Sequence, residues 1–192
     1  TSEGSFHEGA TFAGVMKAPV ILFCSNNQWA ISTPLSSQTA APTLADKAIG
    51  YGIPGVRVDG GDVLAVYEAT RDAVARARAG EGPTFIEAVT YRTAPHATAD
   101  DPSLYIDEER VEEERENECV GRFERYLKRL AVLTDSQAEE IKQEALHLLR
   151  EGIAQAEAEP PADVSLVFEH AYGVPPPSQA EDLAELRRIL GA

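Results

Sequence analysis

The stretch from Val20 to Pro34 constrains the fold more than any other part of the chain. It opens with a continuous apolar run, residues 20–23, which has the length of a strand buried on both faces. Four polar residues, 25–28, come after this run. Ligands of open parallel sheets bind beyond the carboxyl ends of the strands, so this point is a candidate site. The alternative is that the asparagine pair only closes a turn after the strand.

The polar residues include oxygen donors that suit a hard metal ion. Asn27 offers a neutral side-chain oxygen, and the carbonyl of Trp29 can turn toward the same point. Mg²⁺ prefers oxygen ligands in an octahedral array, usually with a carboxylate, water and substrate phosphates among them. The sequence therefore predicts Asn27 and Trp29 as two of the metal ligands.

Composition limits the class of protein. The 192 residues are 43% hydrophobic and 26% charged, which is typical of a globular domain with a real core. The formal charge of −15 argues against nucleic acid or an anionic membrane as partner. No apolar run approaches the about 18 residues of a membrane span, and no targeting segment is visible. Cys24 and Cys119 are too few for a disulfide framework, so we expect a cytoplasmic protein.

The first half of the chain alternates between helical and strand patterns. Helices are predicted over residues 3–16, over 44–51 and from the capping residue Asp62, and strands over 20–23, 55–58 and 83–90. This order predicts a parallel sheet with helices on both faces and right-handed crossovers. The third helix should bury a stripe made of Val63, Val66, Tyr67, Thr70 and Val74.

The second half has a different pattern. Residues 91–105 have no period and lie after the end of a strand, and long loops of this kind tend to be functional or disordered. Helical patterns begin at Asp107, where an acid-rich stretch, 107–118, predicts a solvated helix face rather than a metal site. The next helices should bury apolar stripes, which are Val120, Phe123, Leu127 and Leu130, and then Ile141, Ala145, Leu148 and Gly152.

Two segments around the candidate site resemble a known family. Asn26-Asn27-x-x-Ala30-Ile31-Ser32 resembles the second half of the thiamine diphosphate motif, and Thr1 to Gly9 resembles the segment just after Gly-Asp-Gly-Ala in the α subunits of the 2-oxo acid dehydrogenases. The resemblance implies an α/β thiamine diphosphate-binding fold. Residues 1–105 would form its second half and residues 106–192 an all-helical carboxyl-terminal extension. It also implies that the chain starts a few residues after the metal-binding acid of the family.

The long loop carries a second match. Tyr91-Arg92-x-x-Pro95-His96-x-Thr98-x-Asp100-Asp101 resembles the active-site loop of these subunits. The match implies that His96 contacts the cofactor diphosphate and assists acyl transfer to the lipoyl group, tasks that suit an imidazole. It further implies that Arg92, Asp100, Asp101 and Tyr105 brace the loop, in part by ion pairing, and help to recognise the lipoyl-bearing domain. The alternative for these charged residues is loop solubility.

The resemblance implies a complete enzyme that is an α₂β₂ heterotetramer. The α subunit would hold Mg²⁺ and the diphosphate, and the β subunit would present the glutamate that activates the cofactor. The enzyme would decarboxylate a 2-oxo acid and pass the acyl group to a lipoyl-bearing acyltransferase core. The segments 51–59 and 67–70 read closer to branched-chain members than to pyruvate members. Pyruvate or acetoin dehydrogenase is the alternative, and a non-catalytic assembly piece is an alternative of another class.

The chain also departs from the family pattern. Ala97 and Ala99 stand where animal members have serines, one of them a phosphorylation site. Ser25 replaces an arginine that contacts the diphosphate in many branched-chain members, and Trp29 replaces a common tyrosine. Because Gly-Asp-Gly is absent, the visible metal ligands are all neutral, and we expect weak Mg²⁺ binding unless another segment provides a carboxylate.

Overall fold

The computed structural model describes residues 3–191 and divides into two compact units, Thr1–Asp135 and Ser136–Ala192. Thr1 and Ser2, which open the segment matched above, lie outside the described residues. The elements of the first unit are α1 (Gly4–Val15), β1 (Ile21–Asn26), β2 (Trp29–Ala30), β3 (Thr33–Pro34), α2 (Lys47–Gly50), β4 (Gly55–Asp59), α3 (Val63–Arg78), β5 (Thr84–Val89), α4 (Glu108–Glu116) and α5 (Cys119–Arg129). They are followed by α6 (Asp135–Ala158) and, in the second unit, α7 (Ser178–Leu190).

The first unit is built on a parallel three-stranded sheet in the order β1-β5-β4. Strand β5 lies in the centre, and its residues from Thr84 to Ala88 are all buried. The predicted mixed α/β architecture with a parallel sheet is therefore confirmed. The carboxyl ends of β1, β4 and β5, at Asn26, Asp59 and Val89, lie side by side in this register.

The core is centred on Phe85 of β5, which packs with Leu44, Ala45, Ala48 and Ile53. The ring of Phe6 on α1 contacts the Phe85 ring edge-on, with 5.7 Å between the centroids. Burial of a side chain of this size contributes about 1.5–3 kcal/mol.

Strand β1 differs from its prediction. It continues to Asn26, so Ser25 and Asn26, the first two of the four polar residues after the apolar run, belong to the strand. It is also not buried on both faces, since Phe23 is 50% exposed. Phe23 and Ser25 share one face of the strand and are exposed, whereas Leu22 and Cys24 on the other face pack against the core, so only one face of β1 is well covered by the described residues.

Helix α3 begins as predicted and covers part of the predicted stripe. Asp62 accepts hydrogen bonds from the backbone N–H groups of Leu64 and Ala65, so it caps the helix. Val66, Thr70 and Val74 of the predicted stripe are half-buried, whereas Val63 and Tyr67 are exposed. Ala73, next to Val74, is the most buried residue of the helix.

The chain beyond residue 106 has helices α4 to α7, a 3₁₀ turn at Val164–Val167 and irregular segments. The first predicted stripe is covered in part, since Phe123 and Leu127 of α5 are half-buried while Val120 and Leu130 are exposed. The second stripe, on α6, is exposed, as shown by Ile141 and Leu148. Among the described residues, no helix is both long and apolar enough to cross a membrane.

Candidate functional site

The turn after β1 is held by the first of its two asparagines. Asn26 is 6% exposed, and its Nδ2 donates to Glu87 Oε1 at 2.7 Å. Its Oδ1 accepts from the backbone N–H of Gln28 at 3.1 Å, and its carbonyl accepts from the N–H of Thr90 at 2.9 Å. Both ends of the Asn26 side-chain amide are thus used inside the protein, which makes this residue a structural part of the turn.

The second asparagine is placed differently. Asn27 is half-buried, and its Oδ1 accepts one hydrogen bond, from the backbone N–H of Trp29 at 3.1 Å. A carbonyl oxygen has two lone pairs, so this atom retains the capacity for a second partner. Gln28, the next residue, has a φ of 71°, a left-handed conformation that reverses the chain tightly. The turn therefore leaves Asn27, and not Asn26, free to bind a ligand through its side chain.

Trp29 enters a short hairpin that the sequence did not predict. It pairs with Pro34 across the short strands β2 and β3. Its ring packs against Tyr105, with 5.3 Å between the centroids. Its buried indole N–H has no hydrogen-bond acceptor among residues 3–191. Trp29 thus connects the metal-site candidate to the end of the long loop.

The long loop is joined to this turn by Arg92. Its backbone N–H donates to the carbonyl of Asn27 at 3.3 Å. One guanidinium nitrogen, Nη2, donates both to the carbonyl of Ile31 at 2.6 Å and to the hydroxyl of Tyr105 at 2.8 Å. Arg92 therefore ties the start of the loop, its end and the β2–β3 hairpin together.

Tyr105 links Arg92 to Asp100 through its hydroxyl group. Its hydroxyl donates to Asp100 Oδ2 at 2.5 Å, and the same oxygen accepts from the backbone N–H of His96 at 2.8 Å. The hydrogen bond from Tyr105, followed by that from His96, holds the pKa of Asp100 below its ordinary value. For Tyr105, burial and the neighbouring Asp100 raise the pKa of the phenol.

The sequence predicted bracing of the loop by ion pairing, and the described residues show a relay instead. Arg92 and Asp100 are joined through the hydroxyl of Tyr105 and form no direct salt bridge within the described chain. Asp101 accepts from both the backbone and the hydroxyl of Ser103, so it caps the 3₁₀ turn at Pro102–Leu104. Asp100 and Asp101 thus order two successive parts of the loop.

His96 lies at the exposed tip of this arrangement. Its backbone is fixed by Asp100, but its imidazole makes no hydrogen bond to any other described residue. The ring is therefore available to a ligand or a partner, while the position of its Cα is set by the relay.

A cavity of about 1280 Å³ borders the turn at the carboxyl ends of β4 and β5. Gln28 and Trp29 line one side of it, and Asp59 and Arg122 line another. Arg122 donates to Asp59 at 2.6 Å, which together with the hydrogen bond from Gly61 lowers the pKa of Asp59 despite its partial burial. This ion pair sits where polar residues of three strand ends converge.

The donor set fits a metal–diphosphate group in part. Asn27 supplies a neutral oxygen with spare capacity, as Mg²⁺ requires. Within residues 3–191 no cluster of three or more His, Cys, Asp or Glu side chains has the geometry of a metal site. The oxygen ligands that the turn itself offers, Asn27 Oδ1 and the carbonyl of Trp29, are neutral.

Glu87 is the principal residue of this region that the sequence analysis missed. It is 1% exposed in the middle of β5 and bonds to Asn26 and to the backbone N–H of Ala45. A charged residue inside the apolar strand 83–90 was the available signal, because carboxylates are rarely buried without a specific partner.

A comparison with protein families gives a match to the dehydrogenase E1 component over residues 1–165. The chain belongs to this family. E1 components of this type depend on thiamine diphosphate, so the family membership agrees with the resemblance of the Asn26-Asn27 turn and of the 91–105 loop.

Several curated relatives of this E1 chain are α subunits. It is 47% identical over 193 aligned residues to the 3-methyl-2-oxobutanoate dehydrogenase subunit alpha of Mycobacterium tuberculosis, an alignment that covers 99% of this chain and 52% of the relative. It is 42% identical to the 2-oxoisovalerate dehydrogenase subunit alpha of Bacillus subtilis over 172 residues, 90% of this chain and 52% of the relative. It is 40% identical to the pyruvate dehydrogenase E1 component subunit alpha of Acholeplasma laidlawii over 193 residues, 99% of this chain and 56% of the relative. The chain spans about half the length of these relatives.

Proposed function

We propose that this chain is part of the α subunit of a 2-oxo acid dehydrogenase that uses thiamine diphosphate and Mg²⁺. The observation that carries the proposal is the joined geometry of the turn and the loop. Arg92 links the carbonyl of Asn27, through its backbone, to the relay that fixes the backbone of His96. Two segments that resemble the family's cofactor motifs are thus physically connected in the way that one binding site requires.

In this proposal the residues have separate tasks. Asn27 Oδ1 and the carbonyl of Trp29 bind Mg²⁺, and His96 donates to the cofactor diphosphate. When bound, thiamine diphosphate supplies the carbanion-stabilising chemistry by which a 2-oxo acid loses carbon dioxide. The protein's part is to hold the group in place and to position His96, through its backbone, so that its imidazole can transfer a proton during acyl transfer to lipoate.

Arg92, Tyr105, Asp100 and Asp101 keep the 91–105 loop ordered, and their exposed surroundings fit recognition of a lipoyl-bearing domain. Residues 1–105 form the second half of a thiamine diphosphate-binding α/β domain, and residues 106–192 form its all-helical extension. A β subunit completes an α₂β₂ enzyme, an acyltransferase core accepts the acyl group, and the assembly is cytoplasmic.

The substrate we propose is a branched-chain 2-oxo acid. The relatives named for 3-methyl-2-oxobutanoate and 2-oxoisovalerate are 47% and 42% identical, and they support this choice. The second candidate is pyruvate, because relatives named for pyruvate are 40% and 43% identical.

The test is turnover by the assembled enzyme that contains this chain. We expect a higher kcat/KM for 3-methyl-2-oxobutanoate than for pyruvate, in a reaction that requires both thiamine diphosphate and Mg²⁺. A preference for pyruvate would correct the substrate. The absence of any 2-oxo acid turnover in an assembly that contains the β subunit would support a purely structural role and refute the proposal.

His96 gives a second test of the same function. We expect His96→Ala to fold and assemble normally, because an exposed loop residue changes stability by only about 0.5 kcal/mol. Acylation of lipoate should fall more than decarboxylation measured with an artificial electron acceptor. A pure anchoring role predicts that both rates fall and recover at high thiamine diphosphate. His147→Ala, which removes an exposed histidine from α6, is the matched control, and wild-type rates in His96→Ala would remove His96 from the site.

A further inference from the structure

Glu87 is a buried carboxylate with an unusually complete set of partners. Its Oε1 accepts from Asn26 Nδ2 at 2.7 Å, and its Oε2 accepts from the backbone N–H of Ala45 at 2.9 Å. Arg57 Nε lies 3.8 Å from Oε2, and its own side chain is 53% exposed. Burial of a carboxylate is costly unless it is bonded in this way, so the strand carries Glu87 for a specific contact.

The register of the sheet explains why Glu87 reaches the turn. Glu87 of β5 lies opposite Cys24 of β1, and Asn26 lies two residues farther along the same strand. Residues two apart on a strand share a face, so the Glu87 side chain and the Asn26 amide meet on one face. The hydrogen bond between Glu87 and Asn26 therefore links the interior of the sheet to the strand end where the candidate site begins.

Glu87 also decides which way the Asn26 amide points. A carboxylate that accepts at both oxygens requires the NH₂ group of Asn26 to face it. The amide oxygen then points away from Glu87 and accepts from the N–H of Gln28 at 3.1 Å. That bond lies within the left-handed turn at Gln28, which sets the direction of the chain between Asn27 and Trp29.

We propose that Glu87 is a positioning residue for the cofactor site. It fixes the orientation of the Asn26 amide, and this orientation shapes the turn that presents Asn27 and Trp29 to the metal and the diphosphate. The identity of the ligand rests on the function proposed above. The control of the turn by Glu87 does not, and it can be tested without any ligand.

Glu87→Gln is the informative change because it keeps size and shape. Both hydrogen-bond partners of Glu87 are N–H donors, and a glutamine has only one acceptor oxygen to offer them. Its NH₂ group would face either Ala45 N–H or the Asn26 amide. If Asn26 rotates to accept from this NH₂ group, its own NH₂ group then opposes the N–H of Gln28. Every arrangement leaves a donor facing a donor. The conflict lies at Ala45 N–H when the NH₂ group faces Ala45, and it lies at Asn26 or at Gln28 N–H, within the turn, when the NH₂ group faces Asn26.

A second change should remove the conflict. In the double variant Glu87→Gln/Asn26→Asp, the oxygen of the introduced glutamine can accept from Ala45 N–H, and its NH₂ group can donate to the introduced aspartate. The other oxygen of that aspartate can accept from the N–H of Gln28. Each of these hydrogen bonds then has a donor and an acceptor, and the net charge is unchanged. Thr84→Val is the matched control, since Thr84 is buried in the same strand and its hydroxyl has no partner among the described residues.

The first measurement is quenching of Trp29 fluorescence by acrylamide in this chain, which contains one tryptophan. Glu87→Gln should make Trp29 more accessible, and the double variant and Thr84→Val should behave like the wild type. Equal quenching in Glu87→Gln and the wild type would overturn the proposal. If Glu87→Gln does not fold, the double variant decides: native quenching supports the proposal, and an unfolded or easily quenched chain overturns it.

The second measurement is the KM for thiamine diphosphate of the assembled enzyme at fixed Mg²⁺. Glu87→Gln should raise this KM about tenfold, as expected for one unmet buried donor, with kcat restored at saturating cofactor. The double variant should return the KM to the wild-type value. A merely structural role would lower the melting temperature and leave the KM unchanged, and this result would overturn the proposal. Failure of the wild type to bind thiamine diphosphate would refute the proposed function, while the fluorescence result would still decide the role of Glu87.

Discussion

Arg92 provides the sharpest test of how the loop is ordered. In Arg92→Ala the Nη2 atom is lost, and with it the bonds to the carbonyl of Ile31 and to the hydroxyl of Tyr105. The backbone bond from Arg92 N–H to Asn27 remains. We therefore expect the chain to fold normally and residues 91–105 to open more often.

The size of this effect depends on the two lost bonds. A hydrogen bond contributes about 0.5–1.5 kcal/mol net, and bonds to a charged group contribute more when buried. Arg92 is half-buried, so water can replace its bonds in part and the lower range applies. The two bonds together give about 1–3 kcal/mol, which raises the open fraction of the loop about 5- to 150-fold.

Amide hydrogen exchange measures this opening directly. The backbone N–H of His96 is protected from exchange by its hydrogen bond to Asp100, and the Asp100 carboxylate is in turn held in place by the hydroxyl of Tyr105. Its exchange should accelerate by the factor above in Arg92→Ala. Arg110→Ala is the control, because Arg110 carries the same charge and lies 5.7 Å from the Tyr91 ring but is not part of the relay. Unchanged exchange in Arg92→Ala, or equal acceleration in both variants, would refute the relay.

Two further predictions concern pH and packing. The hydrogen bond from Tyr105 lowers the pKa of Asp100 below its ordinary 3.8, so the order that Asp100 gives to the loop should be complete well above pH 3.8 and be lost as the pH falls below it. Limited proteolysis of the loop between about pH 6 and 3 checks this, and loss of order already near pH 6 would contradict it. Gly55→Ala would place a Cβ 2.3 Å from the carbonyl oxygen of Ala45, and the overpacking should destabilise the chain by about 1–3 kcal/mol in urea unfolding. Gly9→Ala, whose Cβ would meet nothing within 4 Å, should instead stabilise helix α1, and equal effects of the two changes would show that the close approach at Gly55 is not real.

The order of the elements could be read from the sequence because it depends on local patterns. The apolar runs and the Asp62 cap indicated the alternation of strands and helices, and this alternation implied a parallel sheet. Burial could not be read in the same way. The exposure of Phe23 depends on whether another element covers its face of β1, and the exposure of Val63 and Tyr67 depends on how α3 is rotated against the sheet.

The candidate site was predicted as a set of residues but not as a set of contacts. Asn27, Arg92, Asp100 and Tyr105 all came from the resemblance. The place of the Tyr105 hydroxyl between Arg92 and Asp100 depends on the path of the whole loop. The different tasks of the two asparagines also depend on tertiary structure, because Glu87 binds the first one from a strand that is distant in sequence. A motif identifies which side chains take part, and the packing around it decides which of them are free.

Titration of thiamine diphosphate into the assembled enzyme, with and without Mg²⁺, tests the central claim most directly. We predict that binding requires Mg²⁺ and that Asn27→Ala raises the Mg²⁺ concentration at half-saturation about tenfold or more, because one of the six metal ligands is lost. Trp29→Tyr should bind like the wild type, because the carbonyl is unchanged by exchange of the side chain. Equal affinity with and without Mg²⁺, or equal affinity of the wild type and Asn27→Ala, would contradict the assignment of this turn as the metal–diphosphate site.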